Sequence, residues 1–517
     1  MSTMNKTGGS GTAKACPAGD SQTSARFRDL LKTTGGGSDR RNFLRLALLS
    51  AILFVVPVFF LDLPGGDETR VAGISAWMAL DGDLLTPKLN GVPFLEYPPL
   101  YYAAAAACYR IFGIVPFAAK LPSALSAVAG VLLLYALMRF LRRPRREAFA
   151  GAFLLATSAR YLTNAWVCRV DMMLAAFCIL AWTGFVLMEF SRPGAARRFA
   201  GMVMLSAGFA GGLLTKNLPG LAIPLSGIGC TLLFCDLARR RFSFASYCRL
   251  AAAVLIGLIP YALYLLLLAR RNGMAAAEEV FIRNNFGRFS GSHSDHSSPC
   301  WYYLLHLPEI FLPWLPFLLG GLFLRIREFL RNRSRRSIFQ LSLLLVPFLM
   351  LSAASGKRMV YLLPLAAPAA MIAASAVPYI IRSSLGWFRG GVTVWICRRR
   401  RILLGGLALL IASAAGLIAC RASHEDSYAP VFAEAERRLQ AGHGRLVLVR
   451  PSERLSGAAV FYRRAVIPQL GDWGELKSGN VAVGTLRSKD PLPPLPAGFT
   501  AQRFRDLKLV LVFPVSP

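Results

Sequence analysis

Two acids and a few cations stand where apolar runs of this chain end. Asp67 follows Gly65-Gly66 at the close of the first run, where a flexible turn lets backbone come near a ligand. Asp171 opens another run directly after Arg169, Lys216 ends a third, and Lys357-Arg358 stand together behind "SAASG". A carboxylate so placed can orient or deprotonate an attacking group. Adjacent cations can clamp a phosphate. Plainer readings stand beside each. Asp67 and Glu68 can cap a helix, worth ~0.3–1 kcal/mol. Arg169 and Asp171 can form a structural bridge at a membrane mouth, where a lone carboxylate is expensive. The basic residues can snorkel to lipid headgroups. Asp81 and Asp83, in Gly-rich turns, read as solvated turn residues.

The elements that must carry these residues are membrane helices. The chain has 517 residues, 55% of them hydrophobic, with a mean hydropathy of +0.48. Apolar runs long enough to cross a bilayer recur from Phe43 to Cys420, and a spanning helix needs ~20 such residues. The runs are continuous rather than alternating, so helices and not a barrel satisfy the backbone in lipid. The net charge of +32 sits in short Arg clusters between runs, as in cytoplasmic membrane loops, so nucleic acid is not an expected partner. Ten cysteines lie scattered without a CxxC pair, which reads as packed thiols rather than a disulfide framework or a zinc site.

Charge also fixes the topology. With the basic tail 1–44 inside and disordered, the clusters "RRPRR", "RPGAARR", "RRR", "RIREFLRNRSRR" and "RRRR" all fall on the cytoplasmic side only if 98–113 does not cross. That piece is therefore expected to be an interfacial helix. The count is about eleven spans, among them 147–166, 359–381 and 402–420, with 385–397 another interfacial candidate. The outer loop 62–120, Asp171, Lys216, Lys357-Arg358 and the tail after Cys420 then share the outer face. A secondary transporter would place ionisable groups near mid-membrane; this pattern favours an enzyme at the outer interface. The alternative is a lipid-linked sugar flippase without chemistry.

An ordered set of motifs adds a resemblance. "DETR…GDLLTPKLNGVPFLEYPPLYY", "CRVDMMLAAF", "TKNLPGL", "HSSPCWYYLLHLPEIFLPW" and "SGKRMVYLLPLAAP" follow one another from residue 67 to 368. Together they resemble the GT-C glycosyltransferases of the bacterial protein-mannosyltransferase and lipid A aminoarabinose-transferase group. That resemblance implies an all-α polytopic membrane protein of about 11–13 helices over 45–420, in a bacterial inner membrane with its site facing the periplasm. It implies inverting transfer of a sugar from a polyprenyl-phosphate donor to lipid A, another envelope glycan or protein. Asp67 and Asp171 would be the catalytic acids, and Lys357, Arg358, Arg169 and Lys216 the contacts of the donor phosphate, with Glu68 and Tyr97 in support. Two departures touch the phosphate contacts. Tyr97 stands where the family often has Lys, and Lys-Gly-Pro has become Lys216-Asn217-Leu218-Pro219.

No cofactor is required by this reading. Glu96 and His296 match positions that hold a divalent cation in some members, though zinc sites usually take three or four protein ligands. His293 and Asp295 equally suit a solvated loop, and Tyr302 and Tyr303 read as membrane-interface aromatics. Arg270 and Arg271 read as boundary charges. Residues 424–517 read as a small outer α/β domain, with helices over 428–442 and 457–464 and strands over 445–450, 480–486 and 508–515. They show no catalytic cluster.

Overall fold

A computed structural model describes residues 36–191, 194–287, 298–379, 406, 410, 413–442, 444–486, 491–492, 494–504 and 506–514. The basic tail up to residue 35, the loop holding His293, Asp295 and His296, the 385–397 piece and part of the 402–420 run lie outside them.

Among the described residues, seven helices are long and apolar enough to cross a membrane. They are α1 (Ser38–Val58), α4 (Pro116–Phe140), α7 (Val170–Glu189), α8 (Ala195–Lys216), α9 (Pro219–Arg239), α10 (Phe244–Asn272) and α13 (Arg335–Ala353). A pair of helices bent by 114°, α11 (Tyr302–Phe311) and α12 (Leu315–Asn332), adds an eighth span if counted as one. Helix α7 sits at the centre, 78% of its apolar window buried against 28% for α10. It packs along α8 with Gly184 against Gly201 and Ala181 against Gly208, where a Cβ added at any of the three glycines would run into the facing helix. Lipid tails supply no hydrophobic drive between helices, so such close backbone contact holds them together.

Two expected spans take another form. Over 147–166 the chain makes α5 (Arg145–Ala156) and the single turn α6 (Ala159–Asn164). The break between them is held from outside, since Ala159 N donates to Leu312 O at 2.8 Å and Trp314 Nε1 to Thr157 Oγ1 at 2.9 Å. Over 359–381 a 3-10 stretch, Met359–Leu365, leads into α14 (Ala366–Ala373). Residues 98–113 form α3 (Leu100–Phe112), at 13 residues too short to span.

Between α1 and α4 runs α2 (Asp67–Asp81), which carries both Asp67 and Glu68 in its first turn. It stops at Gly82, whose left-handed backbone (φ 80°) returns an N–H to Met78 O. A short hairpin follows, β1 (Lys88–Leu89) with β2 (Val92–Pro93). Asp81 and Asp83 are not merely solvated. Lys88 Nζ reaches Asp81 at 2.6 Å, Arg271 reaches Asp83 at 3.1 Å, and Asp83 accepts from the Leu85 and Thr86 amides.

After residue 428 the chain forms a small α/β domain. Its helices are α15 (Ala429–Gly442) and α16 (Glu453–Arg463), and its five-stranded sheet has the order β4-β3-β5-β7-β6. Strand β3 (Leu446–Val449) runs parallel to β4 (Gln469–Leu470) and β5 (Val481–Thr485), while β7 (Leu509–Pro514) is antiparallel to β5 and to β6 (Phe499–Phe504). Alternate residues of β3, β5 and β7 feed two apolar layers, one under the helices and one around Trp473. The domain is seated on the outer loop. Phe461 of α16 enters the core built by α2, α3 and the start of α4. Asn90 and Ile467 exchange two hydrogen bonds of 2.8 Å.

Candidate active site at the Asp67 cavity

The Pro64-Gly65-Gly66 break turns the chain out of α1 and into α2. It is pinned from the far end of the sequence: Gly65 N donates to Asp426 O at 2.7 Å and Ser427 Oγ to Asp62 Oδ2 at 2.7 Å. The Tyr428 ring lies directly against Gly65, where any Cβ would overlap it. This anchoring delivers Asp67 to the wall of a cavity of about 300 Å³.

Asp67 lines that cavity with Arg160, Arg169, Arg358 and Arg454, together with Asn164, Met359, Val360 and Leu363. The four arginines come from separate places, α6, the turn before α7, the loop after α13 and α16. Arg358 Nη1 is 3.5 Å and Arg169 Nη2 4.0 Å from Asp67 Oδ2, while Arg454 Nη2 is 3.6 Å from Oδ1. Burial by itself would raise the Asp67 pKa, but Arg70, Arg169, Arg358 and Arg454 outweigh it and hold the carboxyl below its ordinary value. The acid is therefore ionised at neutral pH and set in a cation-rich hollow.

Asp171 lies one step behind. Arg169 Nε is 3.5 Å from Asp171 Oδ2, so this guanidinium links the two acids. The buried Lys216 ammonium pairs with Asp171 Oδ1 and lies 4.4 Å from the centre of the Tyr361 ring and 5.9 Å from that of Tyr97. Asp171 thus makes the structural bridge to Arg169, which lines the cavity, while Asp171 itself does not. The Gly of the family turn is replaced by Asn217, which adopts φ 55°, ψ −145°, backbone that favours glycine. Tyr261 donates to its Oδ1 at 3.0 Å and secures it.

Lys357 and Arg358 part company. Arg358 enters the cavity. Lys357 is buried, its ammonium donating to the carbonyls of Ser298 (2.9 Å) and Ala354. Glu68 does not act as a simple cap. Its Oε2 accepts from Lys120 Nζ at 2.5 Å and from Cys168 N at 2.8 Å, tying α2 to α4 and to the turn that presents Arg169. Glu96 meets Arg70 at 3.2 Å, and Arg70 also holds Glu453 at 2.6 Å. No group of three His, Cys, Asp or Glu that could hold a metal occurs among the described residues, and His296 is not one of these. Tyr303 is buried rather than interfacial, its hydroxyl donating to Arg358 O at 3.2 Å.

Arg160 and Arg454 join the cavity without a signal in the sequence. Arg160 pairs with Glu309 at 2.9 Å. Arg454 belongs to the domain in which no site residue was expected, and its local sequence, "SERLSG", carries no sign of a pocket.

Residues 66–270 match the sequence model of the family described as dolichyl-phosphate-mannose-protein mannosyltransferase. The match takes in Asp67, Arg169, Asp171 and Lys216. Among curated proteins, the chain is 28% identical over 334 residues to undecaprenyl phosphate-alpha-4-amino-4-deoxy-L-arabinose arabinosyl transferase 2 of Proteus mirabilis, covering 64% of this chain and 58% of the relative. To the arabinosyl transferase of Pseudomonas aeruginosa it is 28% identical over 354 residues, covering 67% and 61%. The chain thus spans about three-fifths of the length of these relatives. Among solved structures, ArnT from Cupriavidus metallidurans bound to undecaprenyl phosphate superposes with a TM-score of 0.70 at 20% identity, over 92% of this chain and 97% of that one. The oligosaccharyltransferase of Archaeoglobus fulgidus gives 0.50 at 15% identity, over 83% and 64%. The fold is that of the GT-C glycosyltransferases, and the resemblance read from the ordered motifs is borne out.

Proposed function

We propose that this multi-span membrane protein is a glycosyltransferase. It moves a sugar from a polyprenyl-phosphate donor to an envelope acceptor, lipid A being the first to test, at the periplasmic face of a bacterial inner membrane. The observation that carries the reading is the Asp67 cavity, one ionised carboxylate ringed by arginines from four elements at the end of the membrane helices. The basic turns after α4, α7, α9 and α12 are each one span away from that end, which is the charge bias expected of a site on the outer face. The similarity to undecaprenyl-phosphate aminoarabinose transferases supports the donor class.

In this reading an acceptor oxygen attacks the anomeric carbon from the face opposite the phosphate. The new C–O bond forms as the bond from sugar to phosphate oxygen breaks, so the configuration inverts. The acceptor proton passes to Asp67, and the electron pair of the broken bond leaves on the polyprenyl phosphate. Arg358 and Arg169 stabilise that phosphate as it gains charge. A carboxylate held so acidic is a weak base. A bound donor phosphate competes for the same two guanidiniums, and their withdrawal lets the Asp67 pKa rise toward working range. Asp171 and Lys216 hold Arg169 in place behind this exchange. In this reading the chemistry needs no cofactor.

The test is mass spectrometry of envelope lipids and glycoproteins from cells carrying the wild-type chain or Asp67→Asn. The expected result is a mass difference of one sugar that the variant abolishes while still binding undecaprenyl phosphate. Full transfer by D67N would remove Asp67 as the base, whereas no mass difference with the wild-type chain, or a donor that crosses the membrane without losing its sugar, would remove the enzyme reading.

A further inference from the structure

Among the described residues, the C-terminal domain touches the cavity through one side chain. Arg454 is the second residue of α16, and it approaches Asp67 Oδ1 at 3.6 Å, while the membrane-side cations Arg169 and Arg358 both address Oδ2. The two oxygens of the acid are thus held from two different domains.

The placement of Arg454 is built in rather than incidental. Thr69, two residues past Asp67 on α2, donates its hydroxyl to Arg454 O at 3.0 Å as well as to Gly66 O at 2.8 Å. Glu453, the neighbour of Arg454, takes Arg70 of α2 at 2.6 Å. One turn on, Gly73 of α2 faces Gly457 of α16 so closely that a Cβ on either would overlap the backbone of the other helix. Three contacts within one helical turn of each partner therefore fix the register of α16 on α2, and with it the reach of the Arg454 side chain.

We propose that Arg454 is a positioning residue for Asp67, so that the C-terminal domain completes the catalytic pocket and is not only a cover over it. This rests on the reading of Asp67 given above. By holding Oδ1, Arg454 sets the plane of the carboxylate and leaves Oδ2 to the cations that the donor phosphate draws away. The charged groups facing Asp67 are Arg70 from its own helix, Arg169 from the turn before α7, Arg358 from the loop after α13, and Arg454. Loss of one of these cations moves the Asp67 pKa upward.

The experiment uses the full-length protein in detergent and compares wild type with Arg454→Ala, Arg454→Gln and Arg454→Lys, with Arg450→Ala as a control. Arg450 pairs with Asp472 and does not line the cavity. Two readouts are taken. The first is initial-rate transfer from undecaprenyl phosphate-linked 4-amino-4-deoxy-L-arabinose to lipid A. The second needs no substrate: carbodiimide labels a carboxyl in its protonated form, so the pH midpoint of labelling at Asp67, read by peptide mass spectrometry, follows its protonation.

Expected are a fall in kcat of roughly ten- to a hundredfold in R454A and R454Q, a labelling midpoint moved to higher pH in both, and recovery of both readouts in R454K. An unmoved labelling midpoint overturns the proposal even if kcat falls, because a purely structural role would do that. Equal shifts in R454A and R454K overturn it as well. Turnover surviving in D67N would instead sink the reading of Asp67 as the catalytic acid, and the labelling would still decide whether Arg454 governs its charge.

Discussion

Glu68 and Lys120 form a buried ion pair, Nζ to Oε2 2.5 Å, one residue along from the acid that faces the cavity. Neighbours in sequence thus do opposite work. Asp67 lines the cavity on one side of α2, and Glu68 on the other side locks that helix to α4 and to the Cys168 amide. A buried pair that loses one partner strands a charge in a place without water, at a cost of about 3–5 kcal/mol. Glu68→Gln is therefore expected to lower the thermal midpoint of the purified protein sharply, and Lys120→Met likewise. The double replacement should recover much of the loss, because it strands no charge. Additive losses in the double variant would show that the two residues do not act as a pair.

The charge state of Asp67 gives a pH prediction with a definite sign. Its folded pKa lies below the ordinary 3.8 because four arginines outweigh burial. A depressed carboxyl contributes stability that is present above the unfolded value and lost as pH falls through the folded one. Asp67→Asn should therefore change the pH dependence of stability only in the acid range below that ordinary value, and leave it flat from neutral pH upward. Unfolding curves of wild type and variant over that range check this. A difference in slope near pH 7 would mean that Asp67 is not held ionised.

The seat of the C-terminal domain can be tested through its closest contact. At Gly73 and Gly457 the two helices leave no room for a side chain, and overpacking typically costs about 1–3 kcal/mol. Gly457→Val should push α16 off α2 and carry Arg454 away from Asp67. The expected outcome is a strong fall in transfer and faster proteolytic release of residues after 428, with membrane insertion unchanged. Retained activity in G457V would mean that the domain can sit elsewhere without harm.

Much of this was legible in the sequence, for identifiable reasons. The membrane helices are long apolar runs, and the Arg clusters at alternate ends order them without any contact being known. The ends that bear Asp67, Arg169, Asp171, Lys216 and Arg358 therefore fall together by topology alone. What depends on tertiary contact was not legible. Nothing local shows that Tyr303 is buried under Arg358, or that Thr157 and Ala159 break a span because Trp314 and Leu312 hold them. The pairing of Asp171 with Lys216 joins residues on different helices. Strands β4 and β6, the one two residues long and the other lightly apolar, carry too little pattern to stand out. Arg454 is the extreme case. Its role exists only because Gly457 lets its helix lie against α2.

The Lys357-Arg358 pair separates two functions that the sequence presents as one. Lys357 spends its ammonium on the Ser298 and Ala354 carbonyls and is buried, whereas Arg358 extends into the cavity 3.5 Å from Asp67. If phosphate contact belongs to the cavity side alone, the two substitutions should fail differently. Arg358→Ala should weaken undecaprenyl phosphate binding about tenfold or more, the loss of one charge-assisted contact of ~1.5–3 kcal/mol, with little change in thermal midpoint. Lys357→Met should lower the midpoint and free the loop after α13, while the protein that remains folded binds undecaprenyl phosphate nearly as before. Binding titrations paired with thermal melts on the same preparations separate the cases. Equal losses of affinity in the two variants would show that Lys357 turns from its carbonyls to the phosphate when the donor arrives.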